Sequence, residues 1–136
     1  MMTTIVSKYL GDLRTECEHV QSGNKVLTDA PCDNQGKGEY FSPTDLLATS
    51  LGSCILTIMG IKARDNNIDI KGTELHITKI MASDPRRVDE VKMEFNFPDK
   101  EYTADEKALI ESVAGTSPVP LSVHTNLKQS IVFNWK

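Results

Sequence analysis

The stretch that decides the fold runs from Ser42 to Asn66 and reads SPTDLLATSLGSCILTIMGIKARDN. Ser42 is a favourable N-cap, Pro43 suits the first helical position, and Asp45 completes a capping box of the S-x-x-D kind. Apolar residues follow on more than one helical face. We therefore predict a helix from Pro43 to about Asn66 that is buried nearly all round.

Small residues lie close to one stripe of this helix, at Ala48, Gly52 and Gly60. A glycine inside a helix costs roughly 0.5–1 kcal/mol relative to alanine. Small side chains also let another backbone approach closely. We therefore expect close packing or a functional site along this stripe.

The segments that flank the helix predict an α+β fold. The predicted strands are Thr3–Tyr9, Leu13–Val20, Lys25–Thr28, Ile68–Met81, Glu90–Phe97 and Lys128–Trp135, and two further helices run from Thr103 to about Ala114 and from Pro118 to about Thr125. Turns are expected at Gly11-Asp12 and Gly72, where strands end or bend. The resulting order, βββ-α-ββ-α-α-β, is typical of α+β proteins rather than of a βαβ array.

Length and composition bound the class of protein. The 136 residues are 39% hydrophobic and 25% charged, which predicts one domain spanning 1–136. The net charge of -4, without a basic cluster, argues against nucleic-acid binding. The most apolar run, Ile55–Ile61, is shorter than the roughly 20 residues of a membrane span. No secretory leader opens the chain, so we expect a cytoplasmic protein without membrane contact.

Three cysteines are the candidate reactive residues: Cys17, Cys32 and Cys54. An odd count predicts free thiols in a reducing compartment. No Cys or His spacing suits a metal, and we predict neither a metal nor a cofactor. Cys17 lies between two glutamates, whose negative charge makes it a poor nucleophile, and Cys32 lies in a polar loop. Cys54 is in the middle of the long helix, where a cysteine is most often an inert core residue.

The sequence YFSPTDLLATSLGSC, from Tyr40 to Cys54, resembles the central-helix signature of the OsmC/Ohr superfamily. These proteins are thiol-dependent hydroperoxide reductases and their less characterised relatives. The helix near Thr103, the SPVPLSVH segment from Ser117 and the final strand follow in the expected order. The chain looks closer to the OsmC-like subgroup than to Ohr.

The resemblance implies an intertwined homodimer in which curved antiparallel sheets surround the central helix. It also implies that Cys54 attacks a peroxide oxygen and becomes a sulfenic acid. The family supplies an activating arginine from the N-terminal strands, and Arg14 is the only arginine before residue 64. A solvent-facing strand residue is an equally good interpretation of Arg14.

Two positions depart from the pattern that the resemblance implies. The family's reductases carry a glutamate ten residues before the reactive cysteine, and this chain has Thr44 there. Asp45 is the candidate replacement, although its place in the capping box explains it equally well. Where the family has its second, resolving cysteine, this chain has Ser117, which keeps the capping function and cannot form a disulfide.

Two functions follow from these residues. The first is a one-cysteine peroxidase for organic hydroperoxides, in which Cys54 reacts, Arg14 activates it and an external thiol or dithiol reduces it. The second is a non-catalytic homodimer that binds an apolar small molecule in the interfacial cleft. The intact helix motif favours the first, while Thr44 and Ser117 favour the second.

Overall fold

A computed structural model describes residues 2–136, and within them the elements follow the predicted α+β order. They are β1 (Ile5–Gly11), β2 (Arg14–His19), β3 (Lys25–Asp29), α1 (Pro43–Asp65), β4 (Glu74–Ala82), β5 (Arg87–Asn96), α2 (Ala104–Ser112), α3 (Pro118–Ser122) and β6 (Lys128–Asn134). The chain divides into two compact units, one up to Leu47 and one from Ala48 to Lys136. The single domain that the length predicts stays a prediction.

The first unit is built on an antiparallel sheet in the order β1-β2-β3. The predicted turn at Gly11-Asp12 is present, with φ angles of 88° and 53°. β1 is displaced by two residues from its predicted limits because Gly11 still pairs with Arg14 across the turn. The turn residues therefore extend the ladder instead of ending it at Tyr9.

The start of α1 is set by the capping box that the sequence predicts. The backbone N–H of Asp45 donates to Ser42 Oγ at 3.1 Å, and the backbone N–H of Ser42 donates to the Asp45 carboxylate at 3.0 Å. These two bonds satisfy N–H groups that have no partner within the helix. The helix ends at Asp65, within one residue of the predicted limit.

One face of α1, rather than its whole circumference, is buried. Its buried residues are Ala48, Leu51, Gly52, Ile55, Met59 and Ala63. The opposite face carries Ser53, Thr57 and Arg64, all exposed, and Ile61 is 44% exposed. The prediction of a helix buried nearly all round is therefore wrong for a single chain, because the apolar positions outside this stripe are covered only in part.

The two interior glycines of α1 have different surroundings. A Cβ atom at Gly52 would lie 2.6 Å from Leu75 Cδ2 and 2.9 Å from Ile77 Cδ1. A larger residue would displace the ends of the Leu75 and Ile77 side chains, so Gly52 suits the close approach of α1 to β4 that the small-residue stripe predicts. A Cβ atom at Gly60 would meet nothing within 4 Å among residues 2–136. No packing within the described chain requires that second glycine.

The second unit contains a sheet in the order β4-β5-β6, and this sheet is mixed. β4 and β5 are antiparallel, as predicted, but β5 and β6 are parallel. The expectation of purely antiparallel sheets is corrected here. The physical reason is the connection: α2 and α3 lie between these strands, and a helical crossover is what a parallel pair requires.

β4 is shorter than the sequence predicts, since it begins at Glu74 instead of Ile68. Ile68 and Ile70 are buried although they lie in a loop, with 7% and 9% of their surface exposed. Their apolar character made this loop look like a strand. Gly72, where a bend was predicted, has a φ of 96° in the turn that precedes the strand.

The core of the second unit follows the alternation of β5. Val91, Met93 and Phe95 are at most 1% exposed, while Lys92 and Glu94 face solvent. The aromatic side chains of β6 and of the residue after it stack on this face, where Phe133 contacts Phe95 and Trp135 contacts Phe97. This confirms the half-buried strand that the strict alternation predicts.

The two later helices begin where their capping signals place them and end early. Thr103 and Glu106 form a complete capping box for α2. α2 ends at Ser112, and a single 3-10 turn, Ala114–Thr116, replaces its last predicted residues. α3 ends at Ser122 because Val123 is extended, with φ -97° and ψ 158°.

Among residues 2–136, one helix has the length and hydropathy of a membrane-crossing segment. This helix is α1, whose 23 residues include a window with a mean hydropathy of 1.6. The sequence argument counted only the run Ile55–Ile61, whereas the helix as a whole meets the requirement. The core helices of soluble proteins meet it too, so the property is weak support for a membrane role. The absence of membrane contact stays a prediction.

Candidate functional site

Cys54 lies at the centre of α1, next to the first turn of α3. Its thiol is free and its side chain is half-buried. The backbone N–H of Val119 donates to Cys54 Sγ at a nitrogen–sulfur distance of 3.5 Å. The short helix after Ser117 therefore lies against the central helix. A resolving residue at position 117 would need this arrangement to reach Cys54.

Ser117, the residue before α3, is fully buried, and its hydroxyl has no partner. Its exposure is 0%, and no group among residues 2–136 forms a hydrogen bond with Ser117 Oγ. The side chain does not cap α3. The expectation that serine keeps the capping function here is therefore wrong. An N-cap side chain accepts from the N–H of the second or third helical residue. The N–H of Val119 is already bonded to Cys54, and Pro120 has none.

Arg14 is the centre of an ionic cluster in the first unit. Its Nε and Nη2 atoms donate to the two carboxylate oxygens of Asp29 at 2.7 and 2.9 Å, which is a bidentate pair. Nη2 also donates to Glu39 at 2.7 Å, and the ring of Tyr40 lies 4.6 Å from the guanidinium carbon. Nη1 takes part in no hydrogen bond among residues 2–136. Arg14 is thus held in one orientation with one terminal nitrogen unused.

The hydrogen bonds of this cluster favour the charged forms of Arg14 and Asp29. The side-chain hydrogen bond from Arg14 lowers the pKa of Asp29, and the backbone N–H of Glu39 lowers it further. The hydrogen bonds to Asp29 and Glu39 raise the pKa of Arg14. One guanidinium is thus paired with two carboxylates, so the formal charge of Arg14, Asp29 and Glu39 together is -1.

Sequence reasoning missed Asp29, Glu39 and Tyr40 as partners of Arg14. Asp29 was within reach of such reasoning, because the turn at residues 22–24 sets a hairpin register in which Arg14 pairs directly with Asp29. Glu39 and Tyr40 lie in the loop before α1, where no periodicity fixes their positions. Asp45, the proposed replacement for the family's glutamate, forms the capping box with Ser42.

The other two cysteines have different surroundings. Cys17 lies on β2, three residues after Arg14, so its side chain points to the opposite face of that sheet. There Ser7 Oγ donates to Cys17 Sγ at 3.3 Å. Cys32 is exposed, and its thiol donates to the carbonyl of Lys37 at 3.5 Å.

No metal site is formed by the described residues. Among residues 2–136 there is no group of three or more His, Cys, Asp or Glu side chains placed to hold a metal ion. The free thiol of Cys54 and the charged cluster around Arg14 are the candidate reactive groups.

Two three-stranded sheets and a long helix with a cysteine at its middle define a class that comparisons with known proteins identify. The family model described as OsmC-like protein matches residues 36–132. The chain belongs to the OsmC-like family. The comparison with curated proteins found no significant match.

Solved structures show the same fold along the whole chain. A protein from Psychrobacter arcticus 273-4, named for osmotic stress induction and a detoxification response, is 53% identical and has a TM-score of 0.93. That match covers 98% of this chain and 97% of the other. An organic hydroperoxide resistance protein OsmC from Legionella pneumophila is 14% identical with a TM-score of 0.75, and 99% of each chain is covered.

A third similar structure is an organic hydroperoxide resistance protein from Elizabethkingia anophelis, solved with thiocyanate bound. It is 16% identical with a TM-score of 0.75, and the match covers 100% of this chain and 99% of that one. At this low identity the likeness shows the fold. The recognised family and the α+β fold predicted from the sequence are thus confirmed.

Proposed function

We propose that the protein is a thiol peroxidase that reduces organic hydroperoxides through Cys54, with an external thiol as reductant. The observation that carries this proposal is a free, half-buried thiol on α1 whose sulfur accepts the backbone N–H of Val119. An N–H donor at this distance stabilises negative charge on sulfur, and the thiolate is the nucleophile. Family members from Legionella pneumophila and Elizabethkingia anophelis are organic hydroperoxide resistance proteins, which supports the same chemistry.

The reaction needs two half-cycles. The Cys54 thiolate attacks one peroxide oxygen, so that an S–O bond forms, the O–O bond breaks, and the alkoxide leaves and takes a proton to become an alcohol. Sulfur is thereby oxidised to a sulfenic acid. An external thiol then attacks this sulfur and displaces the hydroxyl as water. A second external thiol breaks the mixed disulfide, releases the Cys54 thiol and leaves as a disulfide.

Arg14 is the proposed activating cation, and its neighbours restrict how it can act. Because Asp29 and Glu39 together outweigh its charge, the cluster has no positive field at long range. Arg14 can therefore assist only through a directional hydrogen bond, and Nη1 is the nitrogen free to give one. We propose that Nη1 is the nitrogen through which Arg14 assists the reaction.

The apolar residues on the same helix favour an organic substrate over hydrogen peroxide. Ile58, one turn after Cys54, is half-buried, and Ile61, one turn further along, is 44% exposed. An alkyl or aryl group gains free energy on leaving water for such a surface, whereas hydrogen peroxide has no apolar group to bury.

The test is consumption of cumene hydroperoxide by the purified protein with a small thiol or dithiol as reductant. We expect turnover that is abolished in Cys54→Ser and retained in Cys17→Ser, the matched control on the other face of the first sheet. Arg14→Ala should lower kcat/KM by roughly tenfold to a hundredfold, the range for loss of one charged hydrogen bond. Hydrogen peroxide should be consumed more slowly than cumene hydroperoxide.

Circular dichroism of Arg14→Ala must match that of the wild type, because Asp29 loses its partner in this variant. A wild-type Cys54 that stays unmodified in excess hydroperoxide would contradict the proposal. Equal alkylation rates at all three thiols in the folded protein would also contradict it, since we propose that only the thiol of Cys54 is activated.

Binding of an apolar small molecule is the second candidate function. A groove of about 700 Å³ lies beside the C-terminal half of α1 and is lined in part by Leu56, Ala63, Ile68 and Ile70. An unreactive Cys54 together with saturable binding of an apolar fluorescent probe would favour this function. Binding that Leu56→Asp abolishes, with Cys54→Ser unaffected, would assign it to the groove.

A further inference from the structure

The backbone nitrogen of Val119 is placed to react with Cys54 once that sulfur has been oxidised. It lies 3.5 Å from Cys54 Sγ, and Sγ is the only acceptor of its N–H among residues 2–136. Two residues before Val119, this chain has Ser117 in the place of the family's resolving cysteine, so no thiol there can capture the sulfenic acid. A sulfenic acid without a neighbouring thiol can instead condense with a backbone nitrogen.

We infer that the Cys54 sulfenic acid condenses with the Val119 backbone nitrogen to give a cyclic sulfenamide, an inference that rests on the proposed function. The sulfur–nitrogen bond forms while the S–O bond and the Val119 N–H bond break, and the hydroxyl and the proton leave as water. No oxidant is needed beyond the hydroperoxide that made the sulfenic acid. An external thiol reverses the step by attacking sulfur, which returns the proton to nitrogen and forms the mixed disulfide.

The position of Val119 in α3 makes the loss of its N–H inexpensive. The first backbone bond within α3 runs from the N–H of Leu121 to the carbonyl of Ser117. Val119 is the second residue of the helix, where the N–H has no intrahelical acceptor. A nitrogen bonded to sulfur there resembles a proline nitrogen in the first turn, which helices tolerate. The condensation therefore removes no helical hydrogen bond.

Ser117 supplies a second, independent feature of this site. Its hydroxyl is fully buried and has no partner among residues 2–136, and an unsatisfied buried hydroxyl is costly. An oxygen atom on Cys54 is a hydrogen-bond acceptor that the reduced protein lacks. We assign Ser117 Oγ as the donor that holds the sulfenic oxygen as it departs, which makes Ser117 a positioning residue for the condensation.

The consequence is protection of Cys54 without a second cysteine. A sulfenic acid that persists is open to further oxidation to sulfinic acid, which thiols do not reverse. In a sulfenamide the sulfur is bonded to nitrogen and is no longer the sulfenic acid from which sulfinic acid forms. The thiol is restored when reductant is present. The same external thiol therefore serves catalysis and recovery.

The direct test uses a variant in which Cys54 is the only cysteine, made by Cys17→Ser and Cys32→Ser. Intramolecular disulfides, which cause the same mass loss, are impossible in this protein. After one equivalent of cumene hydroperoxide, intact mass spectrometry should show a monomer about 2 Da lighter than the reduced protein. Proteolysis should yield one linked species that contains both Cys54 and Val119, and dithiothreitol should separate it.

A product that is only about 16 or 32 Da heavier would overturn the sulfenamide and leave the proposed peroxidase function standing. No mass change at all would contradict the proposed function itself. The two failures are therefore distinguished in one spectrum.

Matched variants test the two groups separately. Val119→Pro has no N–H and should give no linked species. Because the same N–H stabilises the thiolate, the first oxidation of Cys54 should be slower in this variant, and the sulfinic form should rise at least severalfold as a share of the oxidised protein. Val119→Ala keeps the N–H and should behave as the parent does. Ser117→Ala should slow formation of the linked species relative to the rate at which Cys54 is first oxidised in the same variant. If Val119→Pro does not fold, the linked peptide in the parent variant decides alone.

Discussion

At the scale of single residues, the candidate site depends on how polar groups find partners. Arg14 is held by Asp29 and Glu39 and still has one nitrogen free. Asp29 is only 1% exposed, so its charge is compatible with burial only because Arg14 and a backbone N–H compensate it. Ser117 is the opposite case, since it is equally buried and has no partner among residues 2–136. The paired charges of Arg14 and Asp29 hold each other in place, whereas the hydroxyl of Ser117 remains able to form a new hydrogen bond.

The pH dependence of stability should report the pairing of Asp29. Because its pKa is lowered in the folded protein, Asp29 contributes stability above the unfolded value of about 3.9, and this contribution is lost as the pH falls through the lowered folded value. We expect Asp29→Asn to be less stable than the wild type at pH 7 and to show a flatter decline below pH 4. Urea denaturation at pH 7, 5 and 3 measures this.

Asp99→Asn is the matched control, since Asp99 is an exposed carboxylate in a loop. Its stability should follow that of the wild type at each pH. If Asp29→Asn and Asp99→Asn gave the same profile, the ionic cluster would contribute nothing to folding.

At the scale of elements, the site arises from two helices that are distant in sequence. α1 carries Cys54 on a rigid, capped helix, and α3 brings a short first turn against it. Gly52 suits the close approach of α1 to the side chains of Leu75 and Ile77 on β4. The parallel pairing of β5 and β6 requires a crossover, and α3 is part of that connection. The crossover therefore contains the segment, α3, whose Val119 N–H contacts Cys54.

A new disulfide should report the placement of α3. In the variant that has Cys54 as its only cysteine, we expect Ser117→Cys to form a disulfide with Cys54 under mild oxidation. The reason is that Val119, two residues later, already contacts the sulfur, and a disulfide needs Cα atoms within about 7 Å. Titration of free thiols before and after oxidation measures it.

Ser122→Cys, at the exposed far end of the same helix, is the control and should keep both thiols free. Disulfide formation in the control but not in Ser117→Cys would mean that the segment before α3 is misassigned. The Ser117→Cys protein should also accumulate less sulfenamide, because a thiol captures the sulfenic acid faster than an amide nitrogen does.

At the scale of the whole molecule, much apolar surface is left uncovered by the single chain. On β1, Ile5, Val6, Tyr9 and Leu10 are each about half exposed or more. On α1, Ser53 and Thr57 are exposed and Gly60 is half-buried, and small residues at these positions suit the close approach of another helix. Exposed apolar surface of this kind marks an interaction site. We propose that a second copy of the chain covers it, as the resemblance implies.

The oligomeric state tests this proposal. Sedimentation at low micromolar concentration should show a dimer, and Gly60→Leu should shift it towards monomer. A Cβ atom at Gly60 meets nothing within 4 Å in the described chain, so the branch point of the new side chain causes no clash within one protomer, whereas its bulk should obstruct a partner. Leucine also has the higher helix propensity, so the variant should fold.

Gly115→Leu is the control, because Gly115 has the same open space but lies outside α1. It should remain dimeric. A stable wild-type monomer would contradict the dimer, and a dimeric Gly60→Leu would exclude this face of α1 as the interface.

The features that the sequence determined by itself are those with local causes. The caps at Ser42 and Thr103 act on N–H groups within three residues, so the starts of α1 and α2 were predictable. The alternation along β5 defines its buried face without reference to any partner. The motif around Cys54 identified the family, and hence the fold, because a family's central helix is a contiguous segment.

Tertiary structure decided what depends on residues distant in sequence. Three features depend on segments that are tens of residues apart. They are the parallel pairing of β6 with β5, the contact between Val119 and Cys54, and the burial of Ser117. Local propensity carries no information about such pairs, because their free energy comes from packing and desolvation after the chain has closed. The sequence alone could therefore name Cys54 and Ser117, while only the folded chain showed that one accepts a backbone N–H and the other has an unpartnered hydroxyl.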